Sequence, residues 1–281
     1  MSHGWILRFL EHRIADKRIL RLITKWLKVG ITVDGHIARG SRGAPQGAVI
    51  SPILTNVYLH YMFDLWTHRW RCRVTGDVIV IRCADDTIVG FRHEHEAKAF
   101  LDDLKKRLRA FELALHPAKT RPIRFGRHAT KQREMRGKGK PETFDVLGFT
   151  HFCMRSRKNG SFVIGRKTIK KRMRATLQET KVELRKRLHD PIAKTGAWVN
   201  GVLKGHMNYF AVSGNDPSLW WSFTQVKWHW LLSLRRRSQR AHLNWERYIR
   251  LVDRFLPPIR ILHPLPCHRF DARTQGRSPV R

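Results

Sequence analysis

Apolar residues recur along this chain at the spacing of amphipathic helices. The clearest run has an apolar residue every three or four positions, at Ala97, Leu101, Leu104, Leu108, Phe111 and Leu115. Side chains at this spacing share one face, so the run predicts a helix packed on a sheet. Proline restricts the residue before it, and we therefore expect this helix to end at His116-Pro117.

Two earlier segments also predict helices. Asp16 is suited to cap the first, which stops at Gly30. Its apolar face consists of Ile19, Ile23 and Trp26. The second begins at Ser51-Pro52, because serine caps helices and proline fits the first turn. Its predicted buried stripe is Leu54, Val57, Tyr61 and Leu65.

Toward the C-terminus, two more helices are separated by a break at residues 213–217. The first is lined by Val199, Leu203, Met207 and Phe210. The second starts at Asp216-Pro217 and is lined by Leu219, Phe223, Val226, Trp230 and Leu234. Trp220, Trp221 and Trp228 do not all fit this stripe, so we expect some of them at an interface or a stacking surface.

Strand patterns occur in two regions. β-Branched runs at residues 78–81 and 87–91 flank Cys83-Ala84-Asp85-Asp86, which predicts a hairpin whose turn lifts both acids out of the ladder. The second region is a strand over residues 144–152. Asn159-Gly160 then marks a hairpin turn into residues 162–164.

The net charge of the chain limits the functions that are possible for it. Its formal net charge is +34 and its pI is about 11.4, an excess that calls for a polyanionic partner. A hydrophobic fraction of 42% and ten tryptophans exclude a disordered basic tail and favour a folded nucleic-acid-binding protein. An anionic membrane is the competing partner, but no stretch approaches the roughly 20 apolar residues of a spanning helix.

The basic residues concentrate in one segment. Residues 155–187 contain thirteen Lys or Arg and two acids, Glu179 and Glu183. Apolar residues still mark one helical face there, so the segment predicts a basic amphipathic helix. A solvated charged face is the simple interpretation, while the one-sided excess favours contact with phosphates.

Adjacent carboxylates at Asp85 and Asp86 are the clearest candidate for chemistry. Two carboxylates at a turn are hard oxygen ligands for Mg²⁺, and the cation relieves their mutual repulsion. The alternative is that Asp-Asp is only good turn chemistry, since aspartate tolerates the backbone geometry of turns.

The order of motifs resembles the reverse transcriptase/maturase proteins encoded by bacterial group II introns. Residues 43–52 (GAPQGAVISP) are similar to the family's PQG motif, and residues 82–86 (RCADD) to its YADD motif. Residues 115–120 (LHPAKT) are similar to the next palm motif, and residues 147–149 to the primer-gripping hairpin. Residues 198–210 resemble the maturase (X, or thumb) domain.

This resemblance implies an α+β fold in three parts. Residues 1–160 would form a partial right-hand palm, an antiparallel sheet with packed helices. Residues 161–256 would form an all-helical thumb/maturase domain, and residues 257–281 a basic Pro-rich tail. It further implies a bacterial cytoplasmic ribonucleoprotein with intron RNA, template and primer, and deoxynucleotides as partners, and no membrane.

The resemblance also implies nucleotidyl transfer with two Mg²⁺ ions. The catalytic residues would be Asp85, Asp86 and Lys119, with the two aspartates as metal ligands; a plain surface lysine is the alternative for Lys119. Template or nucleotide would contact Gly43, Pro45, Gln46 and Gly47. The primer grip would comprise Cys83, Leu147, Gly148 and Phe149. The RNA-binding residues would be Arg166, Lys167, Lys170, Lys171, Arg172, Arg174, Lys204, His206, Asn208, Arg235, Arg236 and Arg237.

Two departures from the family pattern modify these expectations. Cys83 stands where the family usually has tyrosine beneath the primer terminus, so we expect looser primer positioning. The family's third catalytic carboxylate lies in a strand just before a segment like Ser2–Ile6, and this chain starts at Met1 inside that segment. We therefore expect an N-terminally truncated copy with an incomplete two-metal site.

Three functions are consistent with this sequence. The first is a reverse transcriptase/maturase whose DNA synthesis is impaired by loss of the first catalytic Asp. The second is a non-catalytic RNA-binding maturase remnant that grips structured intron RNA. The third is a degenerate reading frame without a selected role.

Overall fold

The computed structural model describes residues 1–28, 31–33, 36–38, 49–156, 159–237 and 243–263. The chain divides into two compact units, Met1–Ile123 and Arg124–Arg281. Helices and small antiparallel sheets are present among the described residues of both units. The expected α+β character is confirmed at this level. The predicted domain boundary near residue 160 stays a prediction, and the three-stranded sheet over residues 144–168 belongs to the second unit.

The first unit contains helices and two antiparallel strand pairs. Its helices are α1 (His3–Glu11), α2 (Lys17–Lys28), α3 (Ser51–Leu59), α4 (Leu65–Arg71) and α5 (Glu94–Ala110). Its strands are β1 (Ile31–Val33), β2 (His36–Ala38), β3 (Val78–Cys83) and β4 (Asp86–Phe91), which pair as β1–β2 and β3–β4. Aromatic side chains lie in its core. The rings of Phe9 and Tyr61 stack with their centroids 4.8 Å apart, and the Tyr58 hydroxyl donates to the Phe111 carbonyl. Asp16 accepts from the Arg18 amide at the start of α2, as its capping role predicts.

Helix α5 ends at Ala110, six residues before His116. Glu112 has a φ of 55°, the left-handed conformation that terminates helices. The amides of Glu112 and Leu113 turn back to the carbonyls of Arg109 and Leu108, which is the Schellman pattern. The prediction placed the end at His116-Pro117 because a glutamate in the left-handed region carries no sequence signal.

A π-helical segment, His60–Asp64, joins α3 to α4. The Leu65 amide donates to the carbonyl of His60, five residues back, so the helix holds one extra residue here. The buried stripe is therefore Leu54, Tyr58, Met62 and Phe63. The predicted stripe is partly confirmed, because Leu54 is buried and Val57 and Tyr61 are half-buried against the core. It was wrong for Leu65, which is exposed, since it assumed an uninterrupted α-helical period.

The second unit combines a sheet with a helical bundle. Its strands are β5 (Phe144–Val146), β6 (Phe149–Arg155) and β7 (Phe162–Thr168), paired antiparallel in the order β5-β6-β7. Its helices are α6 (Ala129–Glu134), α7 (Lys170–Lys186), α8 (Ile192–Phe210), α9 (Asp216–Arg235) and α10 (Trp245–Phe255). The single strand predicted over residues 144–152 is a hairpin, because Leu147-Gly148 forms a turn within it. The hairpin at Asn159-Gly160 is confirmed.

The bundle core confirms the helical stripes predicted for α8 and α9. The residues that line it include Val199, Leu203, Met207, Leu219, Phe223, Val226, Trp230 and Leu234. Tyr248 of α10 closes the core, with its ring 5.9 Å from that of Trp230. These stripes were predictable because the helices are regular over five turns and pack on a single face.

One buried side chain connects the sheet to the bundle. Asn215 lies in the break between α8 and α9 and is 0% exposed. Its Oδ1 accepts from the Thr168 amide at 2.9 Å, and its Nδ2 donates to Thr168 Oγ1 and to the Phe210 carbonyl. The end of β7 is thus fixed to the end of α8 by three hydrogen bonds.

Candidate functional site

The two adjacent aspartates lie at the tip of the β3–β4 hairpin. Cys83 pairs with Asp86, so the turn has two residues, Ala84 and Asp85. Ala84 has a φ of 55° while Asp85 does not have positive φ, as in a type II′ turn. The prediction that both acids leave the ladder is half right, because Asp86 is the first residue of β4.

Both carboxylates face solvent. Neither side chain makes a hydrogen bond or ion pair with another residue in the described part of the chain, so their oxygens are available to a ligand. Mg²⁺ commonly binds one or two carboxylates together with waters and substrate phosphates, and this pair fits that requirement. Within the described ranges, no group of three or more His, Cys, Asp or Glu residues is arranged to hold a metal ion.

The guanidinium of Arg82 holds the turn from behind. Its Nε and Nη2 donate to the two carboxylate oxygens of Asp64 at 2.7 and 2.6 Å, a bidentate pair. Its Nη1 donates to Asn56 Oδ1 at 2.9 Å and to the Ala84 carbonyl at 3.0 Å. The hydrogen bond to Asp64 raises the pKa of Arg82. We call Arg82, Asp64, Asn56 and Ala84 the Arg82 clamp.

The clamp explains how an alanine keeps a strained conformation. A left-handed non-glycine residue costs about 1 to 2 kcal/mol, which the hydrogen bond to its carbonyl helps to offset. Arg82 is mostly buried beside Asp64, and it joins α3 and the π-helical segment to the turn. The sequence analysis did not predict this clamp.

Removing the guanidinium should destabilise the first unit. We expect Arg82→Ala to lower the free energy of unfolding by about 2 kcal/mol, since partly buried charge-assisted hydrogen bonds are lost and Asp64 keeps an unpaired charge. Urea denaturation followed by circular dichroism measures the change. Arg92→Ala, at an exposed site just after β4, is the matched control. Equal stability of the two variants would contradict a structural role for the clamp.

The other residues predicted for catalysis differ in what can be said of them. Gly43, Pro45, Gln46 and Gly47 lie outside the described residues, and their contact with template or nucleotide stays a prediction. Lys119 is exposed, and its amide donates to the His116 carbonyl in a turn beyond α5. Cys83 is exposed beside Asp86. The catalytic role of Lys119 and the primer-grip role of Cys83 stay predictions.

The other predicted primer-grip residues form a second candidate site, in the second unit. Leu147 and Gly148 both have positive φ, 47° and 81°, as in a type I′ turn. The Tyr209 hydroxyl donates to the Leu147 carbonyl at 2.9 Å, and the Tyr209 ring stacks on Phe149. A Cβ on Gly148 would lie 3.2 Å from Nη1 of Arg172, so that guanidinium rests on the turn. Tyr209 and Arg172 therefore bring α8 and α7 to the hairpin.

Basic side chains cluster where α7 begins. Lys170, Lys171, Arg172 and Arg174 are exposed, and the first turn of α7 contains no acid. The N-terminus of a helix carries partial positive charge, so cations there repel it and an anion would relieve the repulsion. The acid Glu183 lies at the opposite end of the helix, paired with Lys186 and Arg187.

The remaining RNA-binding candidates fall into two groups. Lys167, Lys204, Asn208, Arg235 and Arg236 are exposed, and Arg166 is half-buried on β7. His206 is half-buried and lies 3.3 Å from the Ser222 hydroxyl, and burial lowers its pKa. Arg237 donates to the Asp190 carbonyl. His206 and Arg237 thus have partners inside the bundle, whereas the others are open to solvent.

The family model described as reverse transcriptase (RNA-dependent DNA polymerase) matches residues 1–151, more than half of the chain. The chain belongs to the reverse transcriptase family. The β3–β4 hairpin with its aspartates lies inside the matched region, and the resemblance predicted from the motifs is confirmed.

Three relatives are similar over a short region of this reverse transcriptase family member. The "Uncharacterized 91 kDa protein in cob intron" of Schizosaccharomyces pombe is 37% identical over 62 residues, 22% of this chain and 8% of its own length. "Protein YkfC" of Escherichia coli is 38% identical over 68 residues, 24% of this chain and 18% of its own length. The "Group II intron-encoded protein LtrA" of Lactococcus lactis is 33% identical over 60 residues, 21% of this chain and 10% of its own length.

These matches leave most of each relative uncovered. The chain spans less than a fifth of the length of the relatives named above. Two of the three relatives are named for introns, which agrees with the expected intron association. Among the helices of the described ranges, none has the length and apolar character needed to cross a bilayer.

Proposed function

We propose that this chain is a reverse transcriptase/maturase that catalyses RNA-directed DNA synthesis and binds intron RNA. The observation that carries the proposal is the hairpin tip. It presents Asp85 and Asp86 side by side, exposed and without side-chain partners in the described part of the chain, in a member of the reverse transcriptase family. Membership supports the reaction class, and the tip supplies carboxylates of the type that the reaction requires.

The chemistry is nucleotidyl transfer, in which a primer 3′-hydroxyl attacks the α-phosphate of a deoxynucleotide and pyrophosphate leaves. Mg²⁺ bound here would neutralise phosphate charge and bring the reacting oxygens together. Asp85 and Asp86 would hold it, and the Arg82 clamp keeps their backbone in one conformation. Lys119 is proposed to lie near the departing pyrophosphate, where its ammonium would offset the developing negative charge.

The proposed reverse transcriptase/maturase function assigns a role to two parts of the chain. Residues 1–160 would act as a partial palm and residues 161–256 as the thumb/maturase domain. The cations at the start of α7 and the Leu147-Gly148 turn would then hold primer, template or intron RNA through phosphates. The presence of Arg172 on that turn supports a shared nucleic-acid surface.

Primer extension tests the catalytic proposal. The full chain is incubated with a primed RNA template, deoxynucleotides and Mg²⁺, and extended primer is resolved on a denaturing gel. We expect weak extension that requires Mg²⁺ and stops when a chelator is added. Absence of extension, with binding to the same template intact, would contradict the catalytic proposal and leave the second candidate function.

The second candidate is an RNA-binding protein without catalysis, favoured by the exposed basic side chains at the start of α7. Neutralising Lys170, Lys171 and Arg172 to glutamine should weaken binding to structured intron RNA by about tenfold or more. The slope of log affinity against log salt should fall in magnitude by about two to three, because each cation neutralises one phosphate. Filter binding at several salt concentrations measures both quantities.

The matched control removes the same charge elsewhere. Lys98, Lys105 and Lys106 on α5 each form an ion pair within their own helix, with Glu94, Asp102 and Asp103. Neutralising these three lysines lowers net charge equally but should leave the salt slope nearly unchanged. If both triple variants lose affinity to the same extent, only net charge matters and the α7 surface is not the binding site.

A further inference from the structure

Three tryptophans of α9 lie in solvent. Trp220, Trp221 and Trp228 are 60%, 44% and 48% exposed, although α9 already buries a complete apolar face in the bundle. None of their indole N–H groups donates to a residue in the described part of the chain. Large exposed aromatic surface on a folded protein marks a binding site more often than chance, since it gains by leaving water.

The helical spacing places Trp221 and Trp228 on one outer face, with Trp220 about 100° around the helix from Trp221. Seven residues make almost two helical turns, so Trp221, Trp228 and Arg235 lie within about 40° of one another and advance about 10 Å at each step. Trp220 and Lys227 repeat the same spacing beside them. The face therefore presents aromatic rings followed by cations along one line.

Helix α10 adds a fourth exposed indole. Trp245 is 58% exposed, and its ring lies 5.7 Å from that of Tyr248. The Tyr248 hydroxyl in turn donates to the carbonyl of Lys227, the residue before Trp228. Trp245 thus lies beside the middle of α9. We call Trp220, Trp221, Trp228 and Trp245 the tryptophan face.

The charges beside the tryptophan face indicate which kind of ligand it binds. In α9 the only acid is Asp216 in the first turn, while Lys227 and Arg235 alternate with the indoles and Arg236 follows. An apolar surface combined with cations suits a polyanion that carries flat apolar groups. Single-stranded nucleic acid has this composition, with stacked bases between phosphates, and aromatic side chains bind bases without requiring a fixed sequence.

We propose that the tryptophan face is a stacking platform for unpaired nucleotides of RNA, with Arg235 and Arg236 contacting the adjacent phosphates. This inference rests on the proposed RNA-binding function and adds a site that recognises bases instead of the backbone. The cations of α7 would contribute phosphate contacts, while the tryptophan face would discriminate unpaired from paired segments, because paired bases do not offer their faces.

Paired substitutions separate stacking from simple apolar contact. The full chain with Trp221 and Trp228 both changed to leucine keeps apolar bulk but loses the rings; the double change to phenylalanine keeps smaller rings. Affinity is measured by fluorescence anisotropy for a short single-stranded RNA and for an abasic strand with the same number of phosphates. Both sites are exposed, so circular dichroism should show that both variants are folded.

We expect the leucine variant to lose about fivefold or more in affinity for the base-containing strand per ring removed. The phenylalanine variant should lose less, and the abasic strand should bind all three proteins equally. Base-dependent quenching of tryptophan fluorescence in the wild-type chain should disappear in the leucine variant.

Four outcomes would overturn the proposal, and one of them also overturns the proposed function. Wild-type binding to neither strand contradicts RNA binding as a whole. Normal RNA binding with no difference between leucine and wild type contradicts stacking alone, as does an equal loss on both strands. The fourth outcome is that the leucine and phenylalanine variants both bind anionic lipid vesicles tightly and do not respond to RNA bases. That result would assign the face to a membrane surface.

Discussion

Changing Asp85 to alanine is expected to abolish Mg²⁺-dependent primer extension. Asp85 is the second of the two turn residues, and its exposed carboxylate has no side-chain partner in the described residues. Loss of one of two adjacent ligands removes both charge and geometry from a magnesium site, so extension should fall to background. Extension that survives Asp85→Ala would show that this hairpin is not the catalytic site.

The control for Asp85 lies at the other end of the same hairpin. Asp77 is exposed and directly precedes β3, so Asp77→Ala removes an equal charge while leaving the turn intact. Asp85→Asn keeps the size of the side chain and removes only its charge. Direct binding of Mn²⁺, followed by electron paramagnetic resonance, should weaken in both Asp85 variants and stay unchanged in Asp77→Ala. This readout tests the site independently of turnover.

Changing Asn215 to alanine is expected to remove a large fraction of the second unit's free energy of unfolding. The substitution removes the hydrogen bonds of Asn215 to the buried Thr168 amide and to Thr168 Oγ1, and each such group costs about 1 to 3 kcal/mol. The Phe210 carbonyl keeps the Val212 amide as a donor. We expect the free energy of unfolding to fall by about 3 kcal/mol or more, against a typical total of about 5 to 15 kcal/mol. Thermal and urea denaturation measure this loss.

Asn208→Ala provides the comparison for that loss. Asn208 is an exposed asparagine on the neighbouring helix α8, and its side chain makes no hydrogen bond with another described residue. Its replacement should change stability by less than about 0.5 kcal/mol, as is usual for surface sites. If the two asparagine variants unfold alike, the hydrogen bonds of Asn215 are replaced by water and the connection is not structural.

Regular helices were predictable from the sequence, whereas their interruptions were not. The stripes of α8 and α9 follow from a constant period over many turns, which hydrophobic spacing reports directly. The extra residue in His60–Asp64, the left-handed Glu112 and the Leu147-Gly148 turn each depend on one local conformation. Such conformations are settled by tertiary packing, which no short window of sequence contains.

The carboxylates of the candidate site could be predicted from the sequence, but the residues that hold the backbone around them could not. Asp85 and Asp86 are adjacent, so their pairing is visible in the sequence. Arg82, Asp64 and Asn56 are separated by up to 26 positions and meet only through the fold. Asn215 was read as part of a helix break, and a turn residue gives no sign that its side chain will be completely buried.

Because of the π-helical segment, the orientation of α4 depends on the number of residues before it as well as on their identity. One extra residue rotates everything after it by about 100° about the helix axis. Asp64 ends this segment, and α4, which follows it, directs Trp70 toward Asp103. Deleting a single residue from His60–Asp64 would restore an even α-helix, turn α4 away from its partners, and bring a different side chain to Arg82. Insertions and deletions here should therefore be tolerated far less than substitutions.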